Sequence, residues 1–330
     1  MGGTFTRLDG GGGATLACTL ELFQTISAGF TMIATRWAGV AASAFALLAL
    51  CGFLFASRIM VAKAALGVGA HPFQLGVVGN AGAGLCLLPW LLASGQAIPL
   101  GRRSLILYGV LGVVSVAIPT VLSHFVVQKV GPAYAATVYA LSPLLTMSFA
   151  AGLGVERMFL RRFAGILLGF VGMVTLVQQE LAHLDLGQPL WVIIGLAVPA
   201  CAALGNIIRS AYWPAGSSAL AFSCGTLFTS SLAVAALAPV FDAPGEWRFA
   251  DPPLLAWLLV LIVVSALSYV LNFRLQQIGG PVVFSQIGYW GTGFGVLLAA
   301  VLFGDVLTPL SLLGLGLIVW GGLLARRPDR

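Results

Sequence analysis

The chain has 330 residues, of which 59% are hydrophobic and 8% charged, with a mean hydropathy of +1.03. Sixteen basic and 10 acidic side chains are too few to cover a water-soluble surface of that size, so two soluble domains are excluded and a bilayer must supply most of the solvent. The net charge of +6 comes from basic residues scattered singly between apolar blocks, which excludes the basic stripe of a nucleic-acid-binding face.

Residues 1–40 differ from the rest. They hold the glycine run Gly10 to Gly13, with Glu21 inside an apolar stretch and Arg36 ahead of the first strongly apolar block. Glu21 argues against a secretory signal, and the segment reads as a loosely ordered N-terminal tail or an over-long start ahead of Met32. Apolar blocks of about 20 residues, one bilayer thick, then follow at 41–62, 72–93, 104–125, 133–153, 161–178, 191–211, 218–240, 253–275, 281–302 and 308–325. Open sheets leave unpaired edges in lipid, and barrel strands would alternate in polarity where these blocks are continuous. The expectation is an all-α polytopic membrane protein with ten transmembrane helices, tight hairpins at 125–133 and 275–281, and a short C-terminal tail at 326–330. With both termini cytoplasmic, twelve of the 16 basic residues fall on the inner side and only Lys63, Lys129 and Arg248 on the outer side, as the positive-inside rule requires.

The chain repeats itself at an offset of 149. Gln128, Gly131 and Pro132 fall on Gln277, Gly280 and Pro281, Glu156 on Asp305, Gly165 on Gly314 and Gly172 on Gly321. Five spans per half is odd, so a first repeat at 41–178 and a second at 191–325 enter the membrane from opposite sides. Two inverted five-helix repeats are a common architecture of secondary transporters.

The segment GPAYAATVYALSPLLTMSFAAGLGVERMFLRRFAGILLGFVGMVTLV and, more loosely, its counterpart from Gly279 to Leu324 resemble the closing spans of the repeat in the EamA group of the drug/metabolite transporter superfamily. Where that family commonly has Trp-Gly early in the first span, this chain reads Cys51-Gly52-Phe53. The resemblance implies a ten-helix carrier in a bacterial-type inner membrane that moves small metabolites, amino acids or drugs, usually outward, by alternating access.

Polar residues within apolar spans are candidate functional groups because each is costly there. Arg58 lies in the first span, about one turn from its outer end, and Arg209 near the inner end of the sixth, beside Asn206. Asn272 and Arg274 lie near the inner end of the eighth; inverted symmetry suggests one basic set at each mouth, gating or attracting an anionic group, and snorkelling to the interface is the plainer alternative, as for Lys63 and Arg274. The centre of the bundle is uncharged: Tyr139 and Ser142 in the fourth span, Gln286 and Tyr289 in the ninth. Gln286, Tyr289, Trp290 and Gly293 share one helix face. These groups could bind a polar solute or serve helix-to-helix hydrogen bonding. Pro119 and Pro143 free backbone carbonyls, and His124 reads as an interfacial histidine before a proton carrier. Glu156 and Asp305 sit at span ends on opposite sides and read as helix caps.

An intramembrane enzyme acting on a lipid is the alternative from another class. H-E-x-x-H, G-x-S-x-G and P-loop motifs are all missing, so the reading is a non-enzymatic carrier without cofactor or metal. The five cysteines show no C-x-x-C pairing and imply no disulfide. The expected partners are a small-molecule substrate and the lipid bilayer. Gly165-x-x-x-Gly169 and Gly291-x-x-x-Gly295 read as packing within the monomer, with a homodimer seam the second reading.

Overall fold

Local chemistry sets where the helices begin. His71 accepts a hydrogen bond from the Phe73 amide while Gln74 reaches back to the His71 amide, a reciprocal cap followed at once by Pro72. Ser218 and Thr308 cap their helices through Ala221 and Ser311, each at 3.1 Å. The computed structural model describes residues 44–130, 135, 138–139, 141–155, 159–182, 189–214, 216–241, 247–249, 251–303 and 308–325. The N-terminal tail, Gly131, Pro132, Thr137, Glu156, Asp305 and the C-terminal tail lie outside them, so the acidic pair and the first Gly-Pro of the repeat do too.

The described helices are α1 (Ala44–Gly67), α2 (Pro72–Ala93), α3 (Arg102–Leu111), α4 (Ile118–Lys129), α5 (Ser142–Gly152), α6 (Leu160–Ala182), α7 (Pro189–Gly195), α8 (Ala197–Ala211), α9 (Ala219–Leu237), α10 (Pro252–Ser285), α11 (Ile287–Phe303) and α12 (Pro309–Leu324). No strand occurs among the described residues. Among the described residues six helical segments are long and apolar enough to cross a membrane, the third being α3 and α4 joined through a π-helical stretch at Gly112–Ala117. Shorter apolar helices at Ile287–Leu298 and Pro309–Leu324 accompany them. Outward-facing Leu85, Leu92, Leu232 and Trp320 are exposed, an apolar exterior suited to lipid and unsuited to water.

The turn expected at 275–281 is made at Gly280, whose φ of 77° and ψ of 176° only glycine adopts readily, with Pro281 opening the helical stretch that follows. A second break follows at Gln286, ahead of α11. Gln286 therefore sits at the junction ahead of α11.

Packing crosses between the two parts of the sequence. α6 lies along α12, and α2 along α9; α1 packs on α10 and α11, while α8 packs on the π-helical stretch, α4 and α5. Glycines make the closest approaches: a Cβ on Gly172 of α6 would lie 2.7 Å from the Gly314 carbonyl oxygen of α12. Asn80 of α2 hydrogen-bonds Ser230 of α9 at 2.9 Å, and Ser231 donates to the Val77 carbonyl at 3.1 Å. One apolar core forms among α2, α3, α9 and α10, built around Tyr108, Phe222 and Phe273; a second forms among α5, α6, α8, α11 and α12, around Met173, Tyr289 and Ile318. Between them the chain leaves a central cavity.

Candidate functional site

The cavity measures about 150 Å³ and is bounded by α1, the π-helical stretch, α4, α5, α8, α10 and the start of α11. Its walls are mixed: Phe55, Ile59, Leu261 and Phe284 supply apolar surface, and Arg58, Ser123, His124, Tyr139, Ser142, Asn206, Arg209 and Asn272 supply polar groups.

Arg209 comes from α8 and is 3% exposed. Its Nη2 donates to Asn206 Oδ1 at 2.9 Å, one turn back, and to Ser115 Oγ at 3.4 Å. The guanidinium lies 4.4 Å from the centre of the Phe273 ring and 5.0 Å from that of Phe284. Its Nε is buried with no hydrogen-bond partner. Arg58, from α1, is half-buried; its guanidinium stands 5.1 Å over the Tyr269 ring, and its Nε is likewise buried and unpartnered. Tyr269 and Phe273 are one turn apart on α10 with ring centres 6.3 Å apart, so the two cations stack on neighbouring rings of one helix. Stacking of this kind offsets about 0.5–2 kcal/mol for each cation, against a burial cost of several kcal/mol. The cavity-lining segments 44–67, 102–141, 197–211 and 252–303 contain no Asp or Glu. Among the described residues neither arginine has a carboxylate partner.

The π-helical stretch explains how Ser115 reaches Arg209. The Ile118 amide bonds the Val113 carbonyl, five residues back, and Pro119 withholds the donor that the Ser115 carbonyl would receive in a regular helix. The resulting bulge presses Ser115 against α8 where a Cβ on Gly205 would collide with it. About two turns further along the same helical path Ser123 donates to the Pro119 carbonyl, so its single hydroxyl proton is committed and the 2.7 Å bond to Tyr139 must be donated by the phenol. The Tyr139 ring is held edge-on to Phe55 at 5.1 Å. His124 Nδ1 lies 3.3 Å from the Pro72 carbonyl, an acceptor, which assigns the proton to Nδ1 and leaves Nε2 as an acceptor in the neutral ring.

Residues 42–178 match the EamA-like transporter family. The match spans α1 to α6, so over that part the chain resembles a family of membrane transporters, and its long apolar helices are those of a multi-pass membrane protein. A solved crystal structure aligns with it at a TM-score of 0.69, covering 84% of this chain and 95% of its own, with 19% sequence identity, a likeness of fold alone. No curated protein matches the sequence.

Four of the six residues singled out from sequence line one cavity: Arg58, Tyr139, Ser142 and Arg209. The two arginines meet at this common cavity, where inverted symmetry had suggested opposite mouths. Gln286 and Tyr289 do not line it. Gln286 is buried at the junction before α11 with Nε2 3.5 Å from the Val282 carbonyl, and the Tyr289 ring packs on Gly169 of α6, where a Cβ would come within 2.8 Å. Arg274 is engaged with Gln277 at 3.3 Å on an exposed surface. Sequence reasoning did not single out Ser115, Ser123, Tyr269, Phe273 or Phe284. A usable signal was present in Tyr269-x-x-Asn272-Phe273, which puts a phenol, an amide and a ring on one face of an otherwise apolar span. Among the described residues no group of three metal-ligating side chains occurs.

Proposed function

We propose that the protein is a secondary transporter that carries a small polar solute outward across a bacterial-type inner membrane by alternating access, with both termini cytoplasmic. In this reading ten spans form two inverted five-helix halves that rock about the cavity. The observation that carries it is the packing between the halves. When the halves are exchanged at the 149-residue offset, α6 on α12 and α2 on α9 map onto themselves, and α1 on α10 and α11 maps onto α8 on the π-helical stretch, α4 and α5. A two-fold relation of this kind supplies two nearly equal arrangements, one open to each side.

Volume bears on the cargo. A cavity of about 150 Å³ suits a guest on the order of benzene in size, a small metabolite more than a large drug. Arg58, Tyr139, Ser142 and Arg209 contact the solute, while Gln286 and Tyr289 back the wall that Ser285, Ile287 and Gly288 present. Counterflow in proteoliposomes tests the reading: unlabelled solute inside should accelerate uptake of labelled solute from outside. Uptake that neither saturates nor responds to internal solute would indicate a channel. A C-terminal tag accessible only from the periplasmic side would overturn the orientation.

A further inference from the structure

The charge inside the cavity identifies a class of cargo. Two guanidiniums face one small space, and both carry a buried Nε–H with no partner. Arg209 is 3% exposed, and its two hydrogen bonds, to Asn206 and Ser115, go to neutral oxygens. Every segment that supplies a described lining residue lacks Asp and Glu, so the described residues supply no counter-charge there. The remaining polar groups of the lining are neutral hydroxyls, amides, phenols and one imidazole.

We propose that the cargo is a small organic anion, with carboxylate or phosphate oxygens held between Arg58 and Arg209, and that ammonium-bearing solutes are rejected. Oxyanions accept from several N–H groups at once, and guanidinium forks match both carboxylate and phosphate. An ammonium placed in the same space would face two like charges and no carboxylate. Phe55, Ile59 and Leu261 provide apolar surface for the carbon body of the anion, and Asn272 Oδ1, buried and unpartnered, is an acceptor for a hydroxyl or amide N–H that the solute carries. The inference rests on the cavity being the transport site, and the test separates the two.

The full-length protein, purified and reconstituted, would be challenged at constant ionic strength with benzoate, succinate and glycerol phosphate. Benzamide, succinamide, glycerol and benzylamine serve as neutral and cationic counterparts. Thermal stabilisation by at least one anion and by none of the counterparts is expected, and comparison of the carboxylate and phosphate arms identifies which oxyanion is preferred. In R58Q the anion affinity should fall about tenfold or more, with R58K retaining part of it. Arg209→Lys supplies the same comparison at the second position; Arg58, half-buried, carries the test where Arg209→Gln fails to fold. No response to any anion, equal response to benzoate and benzamide, or undiminished anion binding in folded R58Q would each overturn the proposal. Anions that bind but show no vesicle flux would sink the carrier reading and leave the anion site standing. Flux of the neutral counterparts without flux of anions would do the reverse.

Discussion

Asn80 of α2 donates a 2.9 Å hydrogen bond to Ser230 of α9, and the two residues stand 150 positions apart in the chain. The bond joins two long helices in a buried setting where neither group meets water. A double-mutant cycle with Asn80→Ala and Ser230→Ala should give a coupling of about 0.6 kcal/mol, and at most about 1.7, when unfolding is followed in detergent or bicelles. Additive effects would mean that the two helices are tied by packing alone.

The seam between α6 and α12 is closer still, because backbone meets backbone where Gly172 faces Gly314 and Ile318. Gly172→Leu should lower stability by about 1–3 kcal/mol or remove the folded monodisperse peak on size exclusion. Gly316 on α12 has open space around it, so Gly316→Ala should leave thermal unfolding within about 0.5 kcal/mol or raise it slightly.

Arg209 is aimed by Asn206, and that contact can be removed without touching the charge. Asn206→Ala should weaken solute binding by about tenfold, seen as a higher KM in vesicle uptake, with a smaller change in maximal rate. Equal loss in Asn206→Ala and Asn206→Asp would show that the side chain acts only through fold stability.

Gly280 makes the turn inside α10 with φ of 77°. Gly280→Ala should cost about 1–3 kcal/mol in unfolding measurements, since a side chain at that conformation is strained whatever the surrounding space. A substitution tolerated without loss would mean that the turn takes another conformation.

Much of the fold was legible because helix starts and lipid-length apolar runs are local properties. The sequence reads a span at 72–93, and α2 runs Pro72–Ala93, since His71, Pro72 and Gln74 announce its beginning and Ser94 and Gly95 its end. The junctions were harder. The sequence places Gln286 within a continuous span, whereas the helical path breaks for one residue there, ahead of α11. Arg58 and Arg209 were read at opposite mouths because depth was counted along straight spans; rings on a third helix, Tyr269 and Phe273, draw both toward the cavity. The Gln286 and Tyr289 pairing followed from helical spacing, which fixes how residues lie relative to each other but not which neighbour they face.

The π-helical stretch at Gly112–Ala117 has a consequence for how the fourth helix is phased. Its wider turn takes up an additional residue, so every side chain beyond it is rotated by roughly 100° from where an unbroken helix would carry it. Ser123, His124 and Val127 face the cavity under that phasing. Deleting a single residue from the stretch would restore the ordinary turn and swing all of them toward other neighbours while leaving their identities untouched, so the face that α4 turns to the chamber depends on that one wider turn.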